Sequence, residues 1–191
     1  MAKILFYDLE TTGTMYWKNG IHQLSGIVDI DGKTVESFDI KMQPNPKAVI
    51  DDKALRIAGV SREQIESYGM GMVQGYKTLI SILSKYVSKF DKSDKFHLCG
   101  FNNRGFDDPF LRAFFTQCGD NYFGSWFWAN SLDVIVLASQ HFLSNRAELV
   151  DFKLSTVAEK LNIKLSHEKL HDALYDVTIT RQCYYELCPV S

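Results

Sequence analysis

The first ten residues constrain this chain most. Lys3 to Tyr7 is a short apolar run without Gly or Pro, and it leads into two carboxylates, Asp8 and Glu10, two positions apart. It reads as a first core strand, and it reaches a carboxylate too soon for a secretory apolar segment. On a strand alternate side chains share a face, so Asp8 and Glu10 point the same way, with Cα atoms ~7 Å apart and Ile4 and Phe6 before them. Two carboxylates at the rim of an apolar core repel each other and lose solvation, at a cost on the order of several kcal/mol unless protons or cations neutralise them. Two readings follow: a strand that ends in solvent, or one wall of a divalent-cation site.

The rest of the chain supplies partners for that strand. Ile21–Ile30 and Thr34–Met42 read as strands joined by Asp31-Gly32, a hairpin signal that completes an antiparallel meander. Gln43-Pro44-Asn45-Pro46 breaks the pattern, and Ser61-Arg62-Glu63-Gln64 has the form of a capping box. Leu79, Ile82, Leu83, Tyr86, Val87 and Phe90 fall at helical spacing, which predicts a helix over Tyr76–Phe90. Lys95–Phe101 reads as a fourth strand and Phe106–Cys118 as a helix. Leu132–Phe142 reads as a strand end plus helix, Leu154–Leu161 as a further helix, and Ala173–Leu187 as the last. A meander followed by strand–helix alternation implies a mixed sheet with helices on both faces. At 191 residues this makes one domain, 1–191.

The composition is that of a soluble globular protein, and no apolar run approaches the ~20 residues that span a bilayer. Cys99, Cys118, Cys183 and Cys188 lack zinc-site spacing and read as free thiols in a reducing cytosol, so a cytoplasmic location is expected. The net charge of −2 argues against a nucleic-acid partner, unless clustered acids hold cations that reverse the local sign.

Two more acidic groups lie downstream. In Asn103-Arg104-Gly105-Phe106-Asp107 the carboxylate occupies a strand-to-helix turn, where α/β folds place ligands. The alternative is a helix-start acid, the role assigned to Asp108, which Pro109 follows. In His171-Asp172-Ala173-Leu174-Tyr175-Asp176, Asp172 is the expected N-cap. Asp176 shares the face of Ala173, Ile179, Thr180 and Cys183, where an acid without a partner is rare. His171 precedes the helix and can titrate near neutrality. His22, His97, His141 and His167 read as structural or surface residues.

With DLETTG at Asp8–Gly13, NRGFD at Asn103–Asp107 and HDALYD at His171–Asp176, the chain resembles the DEDDh family of DnaQ-like exonucleases, which includes the proofreading subunit of bacterial DNA polymerase III. Further similarity covers His22–Gly32, Ala54–Ile65 and Lys153–Ile163. The related DEDDy group has a tyrosine four positions before the final Asp, where this chain has Asp172. The resemblance implies an α/β, RNase H-like fold with a mixed five-stranded sheet, an antiparallel meander plus parallel strands. It also implies that Asp8, Glu10, Asp107 and Asp176 hold two divalent ions and that His171 is the general base. Hard oxygen ligands favour Mg²⁺ or Mn²⁺.

The implied activity is 3′→5′ hydrolysis of single-stranded nucleic acid, DNA favoured, releasing nucleoside 5′-monophosphates. An RNA trimmer is the rival enzyme, and a binding module that has lost activity the rival class. Thr11, Thr12 and Gly13 are expected at the terminal sugar, Asn103 in orienting the site, and Phe106 against a nucleotide or in the core. Met15-Tyr16-Trp17 reads as a base-stacking loop or one packed on its own domain, and the aromatic run Tyr122–Trp128 as a partner surface or buried packing, with packing favoured. The implied partners are single-stranded DNA or RNA 3′ ends and a polymerase or other nucleic-acid-processing protein, with no membrane.

Overall fold

The computed structural model describes residues 1–166, 168 and 172–189. Strands β1 (Lys3–Thr11), β2 (Ile21–Ile30) and β3 (Lys33–Lys41) form the antiparallel meander. Asp31 and Gly32 both take left-handed backbone angles, φ 50° and 81°, as a two-residue turn between twisted strands requires. Register is held at Gly26, which pairs with Phe38: a Cβ there would lie 2.5 Å from the Phe38 ring. Strand β4 (His97–Gly100) returns parallel to β1, and β5 (Leu132–Asp133) lies parallel to β4. The order is β3-β2-β1-β4-β5, the mixed five-stranded sheet that the sequence implies.

Helices α1 (Asp52–Ile57), α2 (Arg62–Glu66) and α3 (Met72–Leu83) precede β4, and α4 (Asp107–Gln117) follows it. Helices α5 (Val134–His141), α6 (Leu154–Lys160) and α7 (Ala173–Leu187) complete the chain. Alternation along β1 divides the core in two. Leu5, Tyr7 and Leu9 pack with α3, α4 and the aromatic run on one face, while Ile4 and Phe6 pack with α5, α6 and α7 on the other. Among the described residues no helix is long and apolar enough to cross a membrane, and the four cysteines are free.

Three expectations need correction. The helix foreseen over Tyr76–Phe90 runs instead from Met72 to Leu83. Near its start Gly75 lets it pack closely on Met42, where a Cβ would come within 2.6 Å of the sulfur. The Ser84 hydroxyl then turns back to the Ile80 carbonyl, and the chain leaves the helix. Tyr86 and Val87 reach the same core from a turn, so periodicity extended the helix wrongly, and Phe90 is exposed. Helix α1 was not foreseen: it buries only Leu55 and is held by the Asp51 cap, too little apolar signal for a period. The capping box at Ser61–Gln64 is present in both directions. The aromatic run divides, with Phe123, Trp126 and Phe127 buried against Phe115 while Tyr122 is exposed.

Helix α7 is fastened to the sheet by an ion pair. Asp29 on β2 is 1% exposed, and its carboxylate accepts from Arg181 Nε at 2.8 Å. Arg181 also donates to the Gly32 carbonyl and lies over the Tyr185 ring. Removing the guanidinium would strand a buried carboxylate. Arg181→Ala should lower stability by about 3 kcal/mol in urea titration, discounted for the partly exposed arginine. A loss below about 1 kcal/mol would show that α7 docks by apolar contacts alone.

Candidate active site

Because β1 and β4 are parallel, their carboxyl ends open on the same side, where an α/β sheet exposes its ligand crevice. Asp8 and Glu10 stand at that end of β1, paired across the sheet with Ser25 and Gln23. The loop after β4 brings in Asp107 as the first residue of α4, 4% exposed, and Leu9 N–H donates to its Oδ1 at 3.2 Å. That bond anchors the start of α4 to the strand between the two acids. Asp172 caps α7 by accepting from Tyr175 N–H at 2.9 Å, which sets Asp176 in the first turn of a helix packed on β1 and β2. Acids from three distant segments of the chain are thereby directed to one place.

Their electrostatics show the crowding. Burial pushes the Asp8 carboxyl well above its ordinary range, and Asp107, Glu10 and Asp176 raise it further. Burial, then Asp176 and Asp172, lift Glu10 to about 7. Asp107 is raised chiefly by burial and by Asp108, against the opposing Leu9 hydrogen bond. These groups are close enough to disfavour one another's charge. Among the described residues, however, no three acidic, imidazole or thiol groups close into a ligand shell. The donors are hard oxygens in a low-dielectric rim, a set that fits divalent Mg²⁺ or Mn²⁺. His171 lies outside the described residues.

A second layer of polar residues carries this layout. Asp108, expected as a simple helix-start acid, accepts from the Tyr7 hydroxyl and Asn103 Nδ2 through one oxygen and from the Ser131 hydroxyl through the other. It joins β1, the β4–α4 loop and the approach to β5. Asn103 is fully buried, in keeping with an orienting role, and Gly100 is needed beneath it because a Cβ there would sit 2.7 Å from the Asn103 Cβ. Asp133 caps α5 and also accepts from the Asn102 and Arg104 amides. The only sequence signal for Asp133 was its place before an apolar helix.

The turn after Glu10 is held internally. Thr11 Oγ1 donates to the Gly13 carbonyl, and Thr12 Oγ1 donates to the Val49 carbonyl while accepting from Gly20 N–H. These buried hydroxyls fix the turn and do not project from it. Asn19, which sequence reasoning passed over, fastens the loop by donating to the Val49 carbonyl and accepting from Met15 N–H. Gly13 is required by the close approach of Asn19, 2.4 Å from where its Cβ would stand. Beyond the turn, Tyr16 and Trp17 are 42% and 69% exposed; Tyr16 meets Phe110 edge-on, and Phe106 packs against the same ring.

A family model described as exonuclease, RNase_T, matches residues 5–184. The PolC-type DNA polymerase III of Mycoplasmopsis pulmonis is 23% identical over 173 residues, 91% of this chain and 10% of that protein. Among solved structures, the zinc-bound Escherichia coli exonuclease I–single-stranded DNA complex aligns with a TM-score of 0.76 and 20% identity, over 96% of this chain and 40% of that one. The E. coli exonuclease I complex with a dT13 oligonucleotide gives 0.75 and 22%, over 98% and 41%. The chain thus spans about a tenth of the polymerase and two-fifths of exonuclease I, and the structural likeness is one of fold.

The raised carboxyls make stability depend on pH. A group whose folded pKa lies above its unfolded value stabilises the fold at low pH and loses that contribution as pH rises through the folded value. For Glu10 the window runs from its ordinary value of 4.5 to about 7. In EDTA the melting temperature should fall across this range, and millimolar Mg²⁺ or Mn²⁺ should restore it at pH 7.5. A flat profile that divalent ions leave unmoved would mean that the acids do not crowd in solution.

Proposed function

Because the chain belongs to the RNase_T exonuclease family, we propose that it removes nucleotides from the 3′ ends of single-stranded DNA by a two-metal-ion reaction. The observation that carries this reading is the convergence of Asp8, Glu10, Asp107 and Asp176 near the carboxyl ends of parallel β1 and β4, with the Asp8 carboxyl pushed up by burial and then by the other three. Carboxylates held this way have lost solvation and repel one another, and divalent cations would relieve both costs. The likeness to E. coli exonuclease I bound to single-stranded DNA supports the choice of polymer.

In this reading the four carboxylates hold the ions. When bound, the ions lower the pKa of the attacking water and offset charge on the departing 3′ oxygen. Asp107 is held by the Leu9 amide at the start of α4. His171, which directly precedes Asp172 in the sequence, would take the proton of the attacking water, a role suited to an imidazole titrating near working pH. The turn at Thr11, Thr12 and Gly13 would lie beside the terminal nucleotide, with Phe106 packed on Phe110 and Asn103 holding Asp108. The products are nucleoside 5′-monophosphates.

A gel time course with matched 5′-labelled single-stranded DNA and RNA, in Mg²⁺, Mn²⁺ or EDTA, tests the reading. The expected result is a metal-dependent ladder shortening from the 3′ end, faster on DNA. Faster loss of RNA would make the chain an RNA trimmer, and no cleavage of either would leave a binding module. Asp8→Ala should lower the rate by at least ~10³-fold through loss of a metal ligand. His171→Ala should lower it by roughly 10²–10⁴-fold and alter the pH–rate profile. Near-wild-type turnover by Asp8→Ala would sink the assignment of the site, and an unchanged rate and pH profile in His171→Ala would remove that residue from the mechanism.

A further inference from the structure

An open groove of about 660 Å³ runs beside the acidic cluster, between the loop that carries Tyr16 and Trp17 and the outer face of α4. Arg104, Pro109, Arg112 and Thr116 form its other side, and Asp108, next in sequence to Asp107, marks the end nearest the acids. The Tyr16 and Trp17 rings meet edge-to-face at 5.0 Å, with Trp17 largely exposed. Opposite them Arg112 rests its guanidinium on the Phe123 ring, 4.3 Å from its centroid. Stacking fixes the plane of that group while leaving its N–H edge free to donate. Among the described residues neither Arg104 nor Arg112 has a carboxylate within ion-pairing distance. Asp108, the acid in the groove, already accepts from Tyr7, Asn103 and Ser131.

Exposed aromatic faces along one wall and unpaired guanidinium groups along the other suit a polymer that alternates flat bases with phosphates. We propose that this groove carries the substrate strand 5′ of the two nucleotides flanking the scissile bond, with Trp17 and Tyr16 stacking a base and Arg104 and Arg112 pairing with phosphates. The assignment rests on the nuclease reading above and adds to it a length requirement. The net charge of −2 gives the strand little general attraction, so its hold on the protein is concentrated in a few local contacts.

The test is steady-state hydrolysis of 5′-fluorescein oligothymidylates two, four and eight nucleotides long, by the wild type and by Trp17→Ala, Arg104→Ala and Arg112→Ala. For the four- and eight-nucleotide substrates KM should rise roughly tenfold in each variant, within the range that one stacked base contributes. KM for the dinucleotide should move less than twofold. Each lost arginine should also flatten the log–log salt dependence of octanucleotide binding by about 0.7. An equal change at every length, or none, overturns the groove assignment while leaving the nuclease reading intact. Should the wild type cleave none of the three, the nuclease reading fails. Anisotropy of the labelled octanucleotide in EDTA then decides the groove separately: equal affinity of wild type and variants overturns it.

Discussion

The hydrogen bond from the Leu9 amide to the Asp107 carboxylate sets the arrangement on which the site depends. Leu9 lies between Asp8 and Glu10, so this contact places the third acid beside the first two and fixes where α4 begins. Holding Asp107 there is costly, since burial and Asp108 both work against its charge. The fold supplies what is needed to keep it: a helix start, a strand amide and a close-packed loop over Gly100. On the opposite side α7 brings Asp176 to the same point, anchored on β2 by the Asp29–Arg181 pair.

A site made of mutually repelling groups has to be rigid from behind, and the hydrogen bonds show how. Asp108 and Asp133 each gather bonds from two or three segments, and Asn19 does the same for the turn after β1. None of the three is among the four converging acids. They are short polar side chains that satisfy backbone and hydroxyl groups where loops cross below the surface, positions that would otherwise leave buried donors unpaired. Rigidity of this kind would leave oxygen donors near their places for a cation of the proposed kind.

The net charge of −2 and the affinity for a polyanion proposed here are compatible through placement. Four of the 23 acidic residues converge at the crevice, where bound cations would reverse the local sign. Arg104 and Arg112 stand next to that crevice on the groove side, and the exposed aromatics of the Tyr16–Trp17 loop face them. Charge that is negligible in sum is therefore distributed in a way that distinguishes one edge of the molecule.

Much of this was legible in the sequence. The meander followed from alternation and the Asp31-Gly32 turn, α7 was delimited by its cap and apolar spacing, and the three acidic motifs were visible as motifs. These are local properties, set by periodicity and turn chemistry within a few residues. The end of α3 was not legible, because Tyr86 and Val87 bury equally well from a turn. Helix α1 buries a single residue and so has no period to detect. The roles of Asp108, Asp133 and Asn19 depend on partners as far as 101, 31 and 30 positions away, and no local pattern encodes which loops will cross. The sequence by itself determined the sheet strands, most of the helices and the chemical types of the acids. Only the tertiary structure decided that those acids meet and that a groove of aromatic and arginine side chains opens beside them, because convergence is a property of how the sheet orders its strands and where α4 and α7 are fastened to it.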